Sequence, residues 1–258
     1  MPAWLHHVAE GPEDAPVVVL SNSLGTTLGM WDPQVSALVE RWRVVRYDQR
    51  GHGRSAVPPG PCSIADLGGD VLALLDSLGV DRVSFCGLSL GGMVGMWLAA
   101  HAPHRIDRLV LCCTSARLGP PEAWAERAAT VLAEGMGAIA EATVGRWFTP
   151  SFRERAPRIV DGVRRMLLAT SPQGYAACCR AIEAMDLRAD LGSITAPTLV
   201  VAAADDPSTP PSHGEEIHGA VAGSRMVVLP SAAHLANLEQ PGPFTAALLA
   251  HLEGGPAT

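Results

Sequence analysis

Six short apolar runs constrain this chain more than any other feature: "VVVLSN" (17–22), "RVVRYD" (43–48), "RVSFCG" (82–87), "RLVLCC" (108–113), "TLVVAA" (198–203) and "RMVVLP" (225–230). Each is too short for a core helix and reads as a strand apolar on both faces. Helix-length stretches separate most of them, such as "SIADLGGDVLALLDSLG", where Ser63 is placed to cap the N-terminus. Strands alternating with helices predict an α/β class, a mostly parallel central sheet flanked by helices. Residues 116–190 break the rhythm: they hold no strand-like run and read as helices interrupted by Gly and Pro. The pattern therefore predicts a core over 1–115, an inserted helical cap over 116–190, and a return to the core over 191–258. "ITAPTLVVAA" restarts the β/α rhythm there, with Pro197 limiting the start of the strand.

Composition narrows the function. A chain of 258 residues, 48% hydrophobic and 17% charged, can bury one large core with an inserted lobe. No window reaches the roughly 18 uncharged apolar residues of a membrane span, and no basic segment precedes an apolar stretch at the N-terminus. A cytoplasmic protein without a membrane partner is expected. A net charge of −7 and the lack of a basic run argue against nucleic acid. The sequence contains no lysine, so all 19 basic residues are arginines. That excludes a Schiff-base lysine or a phosphate-loop lysine, and an anionic substrate would have to be held by Arg. Cys62, Cys86, Cys112, Cys113, Cys178 and Cys179 match neither a metal spacing nor a disulfide framework, and are expected to be small buried apolar residues.

"GLSLGG" (87–92) lies directly after the strand "RVSFC" and directly before the helix-like "MVGMWLAAHA". This is a G-x-S-x-G nucleophile elbow in its required strand, turn and helix context. So sharp a reversal predicts a strained backbone at Ser89, where a Cβ at Gly87 or Gly91 would clash. A serine hydroxyl is a weak nucleophile near neutral pH and needs a base, which in turn needs an orienting acid. The loops after "TLVVAA" and "RMVVLP" leave the same sheet edge as Ser89, which makes His234 the candidate base and Asp206 the candidate orienter, with Asp205 its neighbouring alternative. His213 and His218 fall in a helix, His251 lies near the chain end, and His101 and His104 lie at a helix end. His52, in "YDQRGHGRS", is expected to organise a loop after the third strand. An oxyanion formed at Ser89 needs amide donors at about 2.7 to 3.1 Å. The backbone N–H of Leu90 is one candidate, and the small residues of "SNSLGTT" (21–27) make the amide of Leu24 the other.

Hydrolases with this elbow usually carry His-Gly in that first loop, where Asn22 and Ser23 stand here. "SNSLGT" resembles the 3-oxoadipate enol-lactonases, and so do "YDQRGHG", "FCGLSLGGM", "RWFTPSF", "GYAACCRAIEAMDLR", "DPSTPP" and "AAHLANLEQP". The likeness spans nearly the whole chain, including the inserted lobe. It implies the α/β-hydrolase fold, a triad of Ser89, Asp206 and His234, no metal or organic cofactor, and hydrolysis of a small anionic lactone in the β-ketoadipate route of aromatic catabolism. Leu90 stands where Met is frequent, and "AAADDP" has Ala where Gly is common; neither removes a required side chain. Some relatives are fused to a carboxymuconolactone decarboxylase domain, and with the sequence ending at Thr258 none is expected here.

The lobe must then supply positive charge and an apolar wall. Trp124 and Arg127 are three apart in "EAWAERAATV", on one face of a helix, and Trp147 sits in "RWFTP". Arg127 is the candidate for the free carboxylate, with the two tryptophans as walls. A broader carboxylesterase or carbon–carbon bond hydrolase on the same scaffold is the alternative, since an elbow does not specify the acyl group. A non-catalytic binding protein is a further one. Haloalkane dehalogenase and epoxide hydrolase readings fail because those enzymes need Asp at position 89.

Overall fold

The computed structural model describes residues 1–254 and opens with a strand that the apolar pattern does not reveal, β1 (His7–Glu10). It is short and half-buried, so it carries no apolar run to mark it. The six apolar runs follow as β2 (Val17–Ser21), β3 (Arg43–Tyr47), β4 (Val83–Leu88), β5 (Ile106–Cys112), β6 (Thr198–Ala203) and β7 (Arg225–Leu229). They form one sheet in the order β1-β3-β2-β4-β5-β6-β7. All neighbours are parallel except β1 against β3. Central β4 is buried along its whole length, as its apolar run predicts. The edge strand β7 departs from expectation. With a partner on one side only, it leaves most of its residues partly open, and Val228 is exposed.

Helices cover the sheet. α1 (Asp32–Leu38) follows β2, α2 (Ile64–Ser77) joins β3 to β4, and α3 (Leu90–His101) leads from β4 to β5. Ser63 caps α2 as expected: its Oγ accepts the Asp66 N–H at 3.1 Å while Asp66 Oδ2 accepts the Ser63 N–H at 2.8 Å. A cap of this kind contributes about 1 kcal/mol. Between β5 and β6 the chain makes five α-helices, a short 3-10 turn at Leu191–Ser193 and no strand: α4 (Pro121–Glu134), α5 (Gly137–Trp147), α6 (Pro150–Arg155), α7 (Pro157–Ala169) and α8 (Pro172–Glu183). α4 packs along α8, and at the foot of this insertion the Leu187 N–H donates to the Ala116 carbonyl at 2.8 Å. The chain then completes the sheet with α9 (Pro211–Ala220) between β6 and β7, followed by α10 (Ala236–Glu239) and α11 (Pro241–Leu252). The last four residues of the expected second core segment, 255–258, lie outside the described residues. All six cysteines are free and buried. Among the described residues no helix is long and apolar enough to cross a membrane.

Candidate active site

β4 delivers Ser89 at the carboxyl edge of the sheet in a conformation that side chains rarely adopt, φ 57° and ψ −114°. The surroundings hold it there. The Ser89 N–H donates to the Cys112 carbonyl at 2.9 Å, and the Ser89 carbonyl accepts the Met93 N–H at 3.0 Å and the Thr114 hydroxyl at 2.7 Å. A Cβ at Gly87 would fall 2.1 Å from the Gly91 carbonyl oxygen, and one at Gly91 would fall 2.2 Å from that of Ser21. Backbone meets backbone at both points, so neither clash can be relieved by turning a side chain. The two glycines are what the elbow requires.

β6 and β7 end on the same edge and bring the acid and base candidates together. The His234 Nδ1 lies 2.8 Å from Asp206 Oδ2, and both side chains are buried. Asp206 is fully used as an acceptor: Oδ2 also takes the Thr209 hydroxyl at 2.7 Å, and Oδ1 takes the N–H groups of Ser208 at 2.8 Å and Thr209 at 3.1 Å. Burial pushes its pKa up, but the His234 charge and these donors outweigh burial and hold it below the usual carboxylate value. An ionised Asp206 places the imidazole proton on Nδ1 and leaves Nε2 as the basic nitrogen. Asp205, the alternative acid, is exposed and engages the core only through its backbone N–H, bonded to the Ala232 carbonyl at 2.9 Å.

The "SNSLGTT" loop lies beside the elbow, tied to it by the Gly91 N–H donating to the Asn22 carbonyl at 3.0 Å. Three of its amides are occupied. Ser23 N–H meets the Met30 sulfur at 3.4 Å, Gly25 N–H donates to His52 Nε2 at 2.9 Å, and Thr26 N–H donates to the Ser23 carbonyl at 3.2 Å. Among the described residues the Leu24 N–H meets no acceptor, and neither does that of Leu90 at the first turn of α3. The sequence suggests that His52 organises the loop after the third strand, where it sits; the structure shows it bonded also to this one. Nδ1 donates to the Arg50 carbonyl at 3.0 Å while Nε2 accepts, a neutral ring whose pKa burial pushes down. Gly25 sits at φ +80°, where a side chain is strained, and a Cβ there would press on the Leu167 side chain at 2.6 Å.

A cavity of about 260 Å3 joins these parts. Ser23, Leu24, Ser89 and His234 form its core side, and His234 is its only histidine among the described residues. The opposite wall comes from α4, α5 and α8, including Trp124, Arg127, Trp147 and Tyr175. The three cap residues expected from the sequence therefore all reach the cavity. Arg127 Nε donates to the Tyr175 hydroxyl at 2.7 Å and Nη2 to Thr143 Oγ1 at 2.6 Å, with the guanidinium over the Trp124 and Tyr175 rings at 5.8 and 5.6 Å.

Sequence reasoning misses three contributors. Thr209, in the "DPSTP" turn, bonds Asp206 and also stands 3.3 Å from His234 Nδ1. Arg146 lines the cavity but carries no pattern that marks it. Buried Glu239 joins the α5–α6 connection to the His234 loop: Oε2 accepts the Ala233 N–H at 2.7 Å, and Oε1 accepts the Thr149 N–H at 3.1 Å and hydroxyl at 2.5 Å. Beside it the Leu235 N–H donates to the Trp147 carbonyl at 3.1 Å. Its signal was "AAHLANLEQP", where an acid follows the base candidate by five positions on a helix that is buried throughout.

Comparison with known proteins agrees with this architecture. The family model described as alpha/beta hydrolase fold matches residues 16–241. The chain is 42% identical to 3-oxoadipate enol-lactonase 2 of Acinetobacter baylyi over 244 residues, covering 95% of this chain and 91% of that protein. Among solved structures, the enol-lactonase from Burkholderia xenovorans LB400 superposes with a TM-score of 0.95 at 46% identity, covering 96% of each chain. A thermophilic esterase from Thermogutta terrifontis, solved with malate bound, superposes with a TM-score of 0.92 at 32% identity, covering 97% of this chain and 93% of that one. The parallel sheet, the strained serine at its edge and these likenesses lead to one conclusion, that the chain belongs to the α/β-hydrolase family.

Proposed function

We propose that this hydrolase opens the enol-lactone of 3-oxoadipate, in the β-ketoadipate route of aromatic catabolism in the cytoplasm, with residues 116–190 acting as a cap over the site. The observation that carries the reading is one small cavity lined by Ser89, His234 and Leu24 on one side and by Arg127, Trp124 and Trp147 on the other. The similarity to two enol-lactonases supports the substrate, and the esterase relative solved with malate fits a carboxylate-binding cavity.

The Asp206–His234 contact and the cavity that Ser89 and His234 share support the following route. His234 Nε2 removes the Ser89 hydroxyl proton as Oγ bonds to the lactone carbonyl carbon, while Asp206 stabilises the imidazolium through Nδ1–H. The carbonyl oxygen becomes an anion and is met by the free amides of Leu24 and Leu90. Collapse breaks the bond to the ring oxygen, which takes the proton from His234 and leaves as an enol. The ring opens without shedding a fragment, so the acyl-enzyme holds the whole substrate. A water deprotonated by His234 then releases the acid, and the enol tautomerises to the ketone. Arg127 faces the free carboxylate and the tryptophans wall the ring.

Comparing kcat/KM for the enol-lactone and for p-nitrophenyl acetate tests the reading. A preference of about a hundredfold or more for the lactone is expected, the scale set by a well-satisfied charged contact. Equal values would assign the site to the broader carboxylesterase alternative.

A further inference from the structure

Arg127 is not the only cation in the cavity. Arg146 projects from the same face of α5 as Thr143, three residues away, and lines the cavity with Arg127. The two guanidinium groups are held very differently. Arg127 is fixed by two neutral hydroxyls and two aromatic rings, none of which cancels its charge. Arg146 forms no hydrogen bond, ion pair or ring contact with any described residue, although it is only partly exposed. Partial burial and the Arg127 charge lower its pKa. Glu126 lines the groove just outside with both arginines and pairs with neither.

Two other arginines withdrawn from solvent are held by carboxylates instead: Arg46 meets Glu10 and Asp32, and Arg50 meets Asp70. Two adjacent, uncompensated cations in a partly desolvated cavity disfavour the empty site, and an anion between them would relieve both the repulsion and the lost hydration. A guanidinium suits a carboxylate, because its planar fork matches both oxygens. Arg146 also borders two outer grooves, so its head stands where the cavity meets solvent.

We propose that Arg146 determines the specificity of this cavity: together with Arg127 it clasps a carboxylate at the far end of the acyl chain from the scissile carbonyl. The substrate class is then an ester or lactone whose acyl chain ends in a carboxylate, and neutral compounds of the same shape are rejected. The proposal deepens the enol-lactonase reading and rests on it for the natural substrate, while the charge selection itself needs only a working hydrolase.

The test uses mono-p-nitrophenyl adipate, whose acyl chain ends in a carboxylate, and p-nitrophenyl hexanoate, its neutral counterpart. Arg146→Gln is expected to raise KM for the adipate ester by roughly 10- to 100-fold, the range for a lost charge-assisted contact. It should leave kcat for that ester, and both constants for the hexanoate, within about twofold. Arg146→Lys is expected to recover part of the discrimination, since it keeps the charge without the fork. Equal effects on the two esters, or none on either, would overturn the proposal. If the enol-lactone is not turned over yet Arg146→Gln erases the ester preference, the charge clasp stands and the enol-lactonase reading falls. If the lactone is turned over and Arg146→Gln changes neither ester, the clasp alone falls.

Discussion

Asp206→Asn replaces one oxygen acceptor by an NH2 donor in a place where every neighbour is a donor. The four groups on Asp206 are His234 Nδ1–H and the Thr209 hydroxyl on Oδ2, and the N–H groups of Ser208 and Thr209 on Oδ1. If the new NH2 faces His234, the imidazole must carry its proton on Nε2 and can no longer accept one from Ser89. If it faces the turn, two buried N–H groups lose their acceptor. The first arrangement keeps the turn intact at the expense of the tautomer. A tautomer error of this kind lowers kcat by about 10^4, or roughly 5.5 kcal/mol of barrier. Stability should fall by about 1–3 kcal/mol, because one partner of a buried donor is lost whichever way the amide turns. Steady-state kinetics on the enol-lactone and urea unfolding measure the two effects, with Asp205→Asn as the control that leaves both unchanged. A variant at position 206 that keeps a tenth of the wild-type kcat would refute the assignment of Asp206, most directly if Asp205→Asn lost activity instead.

Glu239→Gln leaves at least one of three donors facing an NH2 group. A drop of about 1–3 kcal/mol and a fall in kcat of about tenfold or more are expected by thermal melting and kinetics, with Thr149→Ser much milder than Thr149→Val. His52→Leu removes the acceptor of the Gly25 N–H and frees the loop that carries the Leu24 amide; kcat should fall by about 10- to 100-fold with KM little changed. His251 donates to the Pro197 carbonyl from Nε2 while its Nδ1 faces Arg225, and burial, then the Arg225 charge, hold its pKa down to about 4. Its folded pKa lies below the ordinary imidazole value of 6.5, so its contribution is complete above pH 6.5 and is lost as pH falls toward about 4. Chemical denaturation across that window should show a shallower decline for His251→Gln than for wild type, and parallel curves would contradict the linkage.

The parts of this molecule legible in the sequence are those written in neighbouring residues. The apolar runs of the sheet, the Ser63 cap and the elbow around Ser89 each occupy a handful of consecutive positions, and local pattern was enough to place them. β1 escaped because an edge strand paired on one side buries too little to need an apolar run. Asp206 was separable from Asp205 only by position in a turn, whereas the structure separates them by burial and by four hydrogen bonds. Glu239 and Arg146 were missed for a common reason. Their meaning lies in residues distant along the chain, Thr149 for one and Arg127 for the other, and no local spacing encodes a meeting made by tertiary packing. Arg127 and Trp124 were within reach because they share a helix face.

The most direct test follows the absorbance of 3-oxoadipate enol-lactone, generated in situ, with wild type and Ser89→Ala side by side. Rapid loss with wild type and a decrease of about a millionfold in the variant are predicted. Retention of a tenth of the activity in the variant, or no turnover by a wild type whose Ser89 still reacts with a fluorophosphonate, would contradict the account.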